Sequence, residues 1–293
     1  MAHAFDTAWL NGDFLPLTEA RISPLDRGFL FADGIYEVVP VYDGRPFQLE
    51  AHLDRLEYSL EEIRIRNPLS RDAWRNMIRE LVARNGAGDQ TVYFQVTRGT
   101  DNKRDHGFPE VDLPPTCFAM SSALPRPPDH FAREGARASL VEDIRWKRCD
   151  IKATTLLPNA LAKQAAREAG ADEALLHRDG QLIEGSSMTL FLVEKGELYT
   201  PPKSSAILPG ITRDVIIQLA AELGIRVHET SLGLDRLAQA DELWFTSSSR
   251  EIMPVTRVDE QVIGDGRPGP VWERLQQALA IRIRNDKQTS KAS

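Results

Sequence analysis

The sequence predicts an α+β protein in two domains, on three observations. Runs of β-branched and aromatic residues closed by glycine-containing turns recur in both halves. Fewer stretches place their apolar residues at helical spacing. Between the halves lies Leu124-Pro125-Arg126-Pro127-Pro128-Asp129, whose consecutive prolines stiffen a linker and cannot belong to a central strand. At 293 residues the chain is long for a single core. The expected divisions are a first domain over 1–122, a linker over 123–130, a second domain over 131–285, and a polar, disordered tail over 286–293.

Ala8 to Leu15 reads as a hairpin, because Asn11-Gly12 suits the left-handed positions of a tight turn. A second hairpin, Ile35 to Tyr42, turns at Asp43-Gly44 and sets Tyr36 and Val38 on one face, Glu37 and Val39 on the other. From Glu50 to Ile65, Leu53, Leu56, Leu60 and Ile63 mark a helix on which His52 and Arg55 are neighbours. Ser70 caps a further helix that ends at Asn85-Gly86. Thr91–Thr97 and Cys117–Met120 are strands. The loop between them, Arg98 to Pro109, gathers four basic side chains, as a ligand-contacting loop or a solvated one does. In the second half a helix covers about Asn159 to Ala169, and Glu173 to Thr200 is strand-rich with turns at Asp179-Gly180 and Lys195-Gly196. Val215 to Gly224 is an apolar helix entered through Leu208-Pro209-Gly210-Ile211-Thr212. Glu242–Thr246 is a strand delivering Ser247-Ser248-Ser249, and a last helix covers Val271 to Ile283.

Composition narrows the function. The net charge of -7 and the scattered basic residues argue against a nucleic-acid binder. Cys117 and Cys149 are too few for a disulfide framework or a Cys/His metal set, so no metal is expected and a reducing cytoplasm is the default. The start lacks a basic-then-apolar signal pattern, and no apolar run approaches the ~20 residues of a membrane span. Phosphate-loop, dinucleotide, zinc-protease and nucleophile-elbow motifs are missing.

Lys152 sits between apolar Ile151 and Ala153, at the end of a segment that begins as a strand at Asp143. A lysine held there would be partly desolvated, which would disfavour its ammonium form and fit it to condense with a carbonyl; a strand-end lysine reaching water is the plainer reading. The amides of Gly210 to Thr212 beside a threonine hydroxyl suit a phosphate, and also suit a simple helix cap. A lysine, an arginine beside a histidine, an acid followed by serines and a Gly-Ile-Thr helix start are together the parts that an aldehyde cofactor with a phosphate tail needs.

The segments Asp33-Gly34-Ile35-Tyr36-Glu37-Val38, His52-Leu53-Asp54-Arg55-Leu56, Tyr93 to Thr100, Val141 to Trp146, Arg148-Cys149-Asp150-Ile151-Lys152, Leu161-Ala162-Lys163-Gln164, Glu184-Gly185-Ser186-Ser187, Gly210 to Asp214 and Glu251 to Val255 resemble the class IV, pyridoxal-phosphate-dependent aminotransferases. Within that class they look most like the D-amino-acid transaminases, and the match extends from the first hairpin to the last helix. The resemblance implies fold type IV, with a small N-terminal α/β domain and a larger strand-rich C-terminal domain, and pyridoxal 5'-phosphate as cofactor. Lys152 would carry the Schiff base and shuttle the proton. Glu184 would pair with the ring nitrogen, and Arg55, Ile211, Thr212, Ser247 and Ser248 would hold the phosphate, with Ser187 and Leu208 as further cofactor contacts. Tyr36, Val38 and His52 would stand near the substrate. Arg104 and His106 would bind its carboxylate from a loop lent by the second subunit of a homodimer. D-amino acids and 2-oxo acids are the implied substrates, with D-alanine and 2-oxoglutarate giving pyruvate and D-glutamate. The loop is about one residue longer than the common pattern, which leaves Lys103 and Arg104 as alternatives for the arginine position. Branched-chain L-amino-acid aminotransferase, aminodeoxychorismate lyase and (R)-amine transaminase share the fold and cofactor, and the Arg104-x-His106 loop counts against all three. A non-catalytic module holding a phosphorylated metabolite would need neither Lys152 nor Glu184.

Overall fold

The computed structural model describes residues 3–86, 88–125 and 127–289. Two units divide at Pro125, inside the proline-rich stretch, whose Arg126 lies outside the described residues.

The first unit is built on a six-stranded antiparallel sheet. Its elements in chain order are β1 (Ala4–Leu10), β2 (Asp13–Pro16), a short helix α1 (Arg27–Phe31), β3 (Gly34–Tyr42), β4 (Arg45–Pro46), α2 (Leu49–Glu62), α3 (Arg71–Arg84), β5 (Gln90–Thr97) and β6 (Thr116–Ala123). The strand order is β2-β1-β6-β5-β3-β4. Asn11 and Gly12 (φ 51° and 115°) and Asp43 and Gly44 (φ 53° and 76°) adopt the left-handed conformations that their hairpins require. On β3 the alternation is as expected: Tyr36 and Val38 are half-buried, Glu37 and Val39 buried. Leu53, Leu56 and Leu60 of α2 and Trp74, Ile78 and Leu81 of α3 pack in one core with Val39, Val92, Phe94 and Val96 of the sheet. Trp74 lies 5.2 Å from Phe94 and 6.4 Å from Trp9, ring centre to ring centre. Removing these apolar faces from water is the main stabilising term in this unit.

The second unit contains a ten-stranded mixed sheet, ordered β12-β11-β10-β14-β15-β7-β8-β9-β13, with β16 paired to β15. Its elements are α4 (Phe131–Glu134), β7 (Ala136–Glu142), α5 (Leu157–Glu168), β8 (Glu173–Arg178), β9 (Gln181–Gly185), β10 (Thr189–Glu194), β11 (Glu197–Thr200), α6 (Ile211–Glu222), β12 (Val227–Glu229), β13 (Leu232–Gly233), β14 (Glu242–Ser247), β15 (Glu251–Val258), β16 (Gln261–Val262) and α7 (Pro270–Thr289). Leu190, Leu192, Leu243, Phe245, Met253 and Val255 fill its core.

Three expectations are corrected. Ile151–Thr155 belongs to the first unit, although the chain on both sides of it belongs to the second. Ala153 makes an antiparallel bridge to Ile35 on β3, and Ile151 and Ala153 join the first core, so pairing overrides sequence position. Lys152 therefore lies outside any strand. At the other end, α7 continues to Thr289, so residues expected as tail extend the helix, and the remainder of that tail lies outside the described residues. Among the described residues, no helix is long and apolar enough to cross a membrane.

Gly34 begins β3 with the backbone of β5 directly behind it: an added Cβ would meet the Val96 carbonyl oxygen at 2.7 Å and Thr97 Cα at 3.1 Å. Neither can retreat without breaking the β3–β5 register. Gly34→Ala is expected to destabilise the protein by about 1–3 kcal/mol, read as a lower denaturation midpoint in urea; an unchanged midpoint would refute the clash.

Candidate active site

In the first unit the site begins with the backbone of Lys152. Tyr36 N donates to Lys152 O at 3.0 Å, Thr154 N donates to Gly34 O at 3.0 Å, and Lys152 N donates to Ser59 Oγ on α2 at 3.2 Å. This clamps the irregular segment against β3 and leaves the half-buried Lys152 side chain beside Tyr36, with Nζ 4.1 Å from the centre of its ring. The ring face attracts a cation and restricts where the amine can go. Tyr36 stacks in turn on Tyr93, ring centres 5.6 Å apart.

On the opposite face of β3, Glu37 is 0% exposed. Arg55 donates to it twice, Nε to Oε1 at 2.7 Å and Nη2 to Oε2 at 2.9 Å, and His52 Nδ1 lies 2.7 Å from Oε2. The three-residue spacing on α2 is what lets both side chains reach one carboxylate. Burial by itself would raise the Glu37 pKa, but the Arg55 charge and the bonds from Arg55 and His52 outweigh it and hold the carboxyl well below its ordinary range. Burial lowers the His52 pKa, against the pull of Glu37. No motif assigns Glu37 a role. Its one signal in the sequence is an acid on the face of β3 that Val39 also occupies. By taking the Nε and Nη2 edge of Arg55, Glu37 fixes the plane of that guanidinium.

The Arg-x-His loop follows β5. Arg104 lies with its guanidinium 5.2 Å from the centre of the Phe31 ring, and His106 lies 5.1 Å from the same ring. Lys103 is exposed and faces Asp105 at 3.9 Å. Arg104 rather than Lys103 therefore shares Phe31 with His106. Among the described residues, no hydrogen bond or ring contact joins Arg104 or His106 to Tyr36 or Lys152 of the same chain.

In the second unit, Glu184 lies near the end of β9 at 4% exposure. Arg145 Nη1 donates to its Oε1 at 2.5 Å, and Leu208 N approaches the same oxygen at 3.4 Å. Arg145 is itself held by Asp143 through Nε at 2.8 Å and Nη2 at 2.9 Å. Burial raises the Glu184 pKa, and Arg145 opposes the shift. Arg145 appeared in the sequence only within a matching segment; an ion pair that spans irregular chain has no spacing to betray it. Helix α6 is preceded by Gly210 as its N-cap, which provides no capping side chain. An added Cβ there would meet Thr189 Oγ1 at 2.5 Å. The first amides, at Ile211 and Thr212, thus begin a helix without a side-chain cap, and Thr212 is 9% exposed. Ser247 closes β14, and Ser247 and Ser248 are half-buried in the turn to β15. Ser187 is exposed and Leu208 half-buried.

Glu37→Gln leaves the buried Arg55 without its counter-charge and should cost about 3 kcal/mol or more at neutral pH. A carboxyl whose folded pKa is depressed stabilises fully above its unfolded value of ~4.3 and loses that contribution as pH falls below it. The gap between wild type and Glu37→Gln in denaturant melts is therefore expected to narrow below about pH 4. Equal stabilities at pH 7 would show that the triad carries no such energy.

The amino-transferase class IV family profile matches residues 34–258. A D-alanine aminotransferase from Staphylococcus haemolyticus is 38% identical over 271 residues, covering 92% of this chain and 95% of that protein. The branched-chain amino acid aminotransferase of Escherichia coli superposes with a TM-score of 0.87 at 28% identity, covering 94% of this chain and 93% of that one. The branched-chain aminotransferase of the thermophilic archaeon Thermoproteus uzoniensis, solved with norvaline, gives 0.84 at 26% identity, covering 95% of each chain. With a two-domain α+β fold of type IV and a profile match across both units, this chain belongs to the class IV aminotransferases.

Proposed function

We propose that this chain transfers the amino group between D-amino acids and 2-oxo acids with pyridoxal 5'-phosphate, D-alanine and 2-oxoglutarate giving pyruvate and D-glutamate. The observation that carries the substrate reading is Arg104 and His106 flanking Phe31. Relatives named D-alanine aminotransferase at 38–39% identity support it over the branched-chain structural neighbours, which are 26–30% identical.

The residue types supply the parts such a cofactor needs: an amine, a buried acid, a guanidinium, a helix start without a side-chain cap and three hydroxyls. When bound, the cofactor supplies an aldehyde for the amine and a ring that draws in the electrons left when substrate Cα loses its proton. Lys152 provides the amine and moves the proton at Cα, with the Tyr36 ring limiting its range. Glu184 holds a proton at the ring nitrogen, and Arg145 fixes the orientation of the carboxylate. Arg55, the Ile211 and Thr212 amides, the Thr212 hydroxyl, Ser247 and Ser248 bind phosphate oxygens, with Ser187 and Leu208 as further contacts. His52 acts through Glu37, and so through Arg55. Tyr36 and Val38 face the substrate.

Arg104 and His106 bind the substrate carboxylate, Arg104 because its planar fork matches two oxygens. Holding the carboxylate on one side decides which enantiomer directs its Cα–H at Lys152. A homodimer in which each copy lends this loop to the other is the assembly proposed.

The purified protein should be yellow, borohydride should fix the colour to it, and Lys152→Ala should lower turnover at least about a hundredfold. For substrate class, the visible absorbance should change on adding D-alanine and not L-leucine. A response to L-leucine alone would replace this reading with the branched-chain one.

A further inference from the structure

We propose that Arg27 is a positioning residue for substrate recognition, fixing the loop that presents Arg104 and His106. The inference rests on the reading of that pair as the carboxylate-binding element. Arg27 opens α1 and is 2% exposed. Its guanidinium donates from Nη1 to Asp105 O at 2.7 Å and from Nη2 to His106 O at 3.3 Å, while Nε donates to Asp33 Oδ2 at 2.8 Å. Two consecutive carbonyls are thus held by one planar fork, and the side chains presented from that stretch are Arg104 and His106. An antiparallel bridge between Asp26 and Thr100 ties down the start of the loop, and within it the bonds are local, such as Gly107 N to Asp105 Oδ1 at 3.1 Å. Phe31 completes the platform. Its ring lies 4.9 Å from the Arg27 guanidinium and also receives Arg104 and His106.

The anchor is built to be rigid. Asp33 accepts from Arg98 as well, Nε at 2.8 Å and Nη2 at 2.9 Å, and Arg98 also donates to the carbonyls of Ile63 at 2.7 Å and Arg64 at 3.1 Å. Arg98 then stacks on Phe108, 3.9 Å from the ring centre, at the far end of the loop. One carboxylate therefore sits between two buried guanidinia that hold the loop at two points. Asp26, which caps α1 through Gly28 N at 2.8 Å, accepts from Thr97 and Thr116 of β5 and β6, so α1 is tied to the sheet. A lysine at position 27 would keep a charge beside Asp33 but could not bridge two carbonyls in a fixed plane.

A loop held in register binds the carboxylate without first having to be ordered, so loss of the anchor should weaken substrate binding more than the chemical step. For Arg27→Gln the KM for D-alanine is expected to rise about tenfold with kcat changed less than about threefold. Trypsin should cut after Lys103 or Arg104 faster than in the wild-type protein, a readout that needs no turnover. Arg27→Lys, the milder change, should show an intermediate KM, and keeps the test open if Arg27→Gln fails to fold. Arg104→Ala is the control for the underlying reading. A raised KM in Arg104→Ala with an unmoved KM in both Arg27 variants would overturn the inference alone, as would tryptic cleavage at the wild-type rate in both. An unmoved KM in Arg104→Ala would overturn the carboxylate reading and this inference with it.

Discussion

A carboxylate sealed inside a β-sheet protein is tolerated only when its charge is met there, and in the first unit that constraint decides the placement of β3 against α2. Glu37 has no access to solvent and is answered by Arg55 and His52 from successive turns of one helix. Removing two charges from water is costly, and their mutual attraction repays that only with close geometry and satisfied hydrogen bonds. The geometry here meets that condition. It also fixes the orientation of the Arg55 fork. On the other face of the same strand, one residue away, Tyr36 borders Lys152. A single strand therefore separates a permanently compensated buried charge from an amine kept half-buried.

The same logic repeats with different residues in the second unit. Glu184 is buried beside Arg145, which is itself clamped by Asp143. Both acids are made usable by an arginine, but the balance differs. Glu37 is held ionised by two partners, whereas burial dominates at Glu184 and its pKa moves upward. Two carboxylates in one protein thus have their pKa values moved in opposite directions by their surroundings.

Much of this was legible in the sequence wherever local chemistry decides the outcome. The four Asn-Gly, Asp-Gly and Lys-Gly turns all have the positive φ values that a tight hairpin turn requires, which glycine adopts without strain. Helix α3 starts where Ser70 accepts from Ala73 N, and the alternation along β3 follows from period two. What escaped depends on contacts distant in the chain. No local pattern announces that Ala153 will pair with Ile35, that Arg145 will meet Glu184 across irregular chain, or that Arg27 will hold carbonyls near residue 105. The candidate residues themselves were named mainly through resemblance, since a lysine beside an isoleucine is ordinary by itself. Geometry added their partners and showed that Arg104, and not Lys103, neighbours His106 at Phe31.

The transfer of Ile151–Thr155 into the first unit bears on how the chain acquires its structure. During synthesis the first six strands and three helices emerge well before these five residues, yet their core lacks Ile151 and Ala153 until then. A boundary drawn at the proline stretch marks a change in contacts but not an autonomous folding module. The hydrophobic core of the first unit is completed only after the ribosome has released part of the second, and the segment that completes it is the one that carries Lys152. Nascent chains ending at the linker would hold an unfinished hydrophobic surface and lack Lys152.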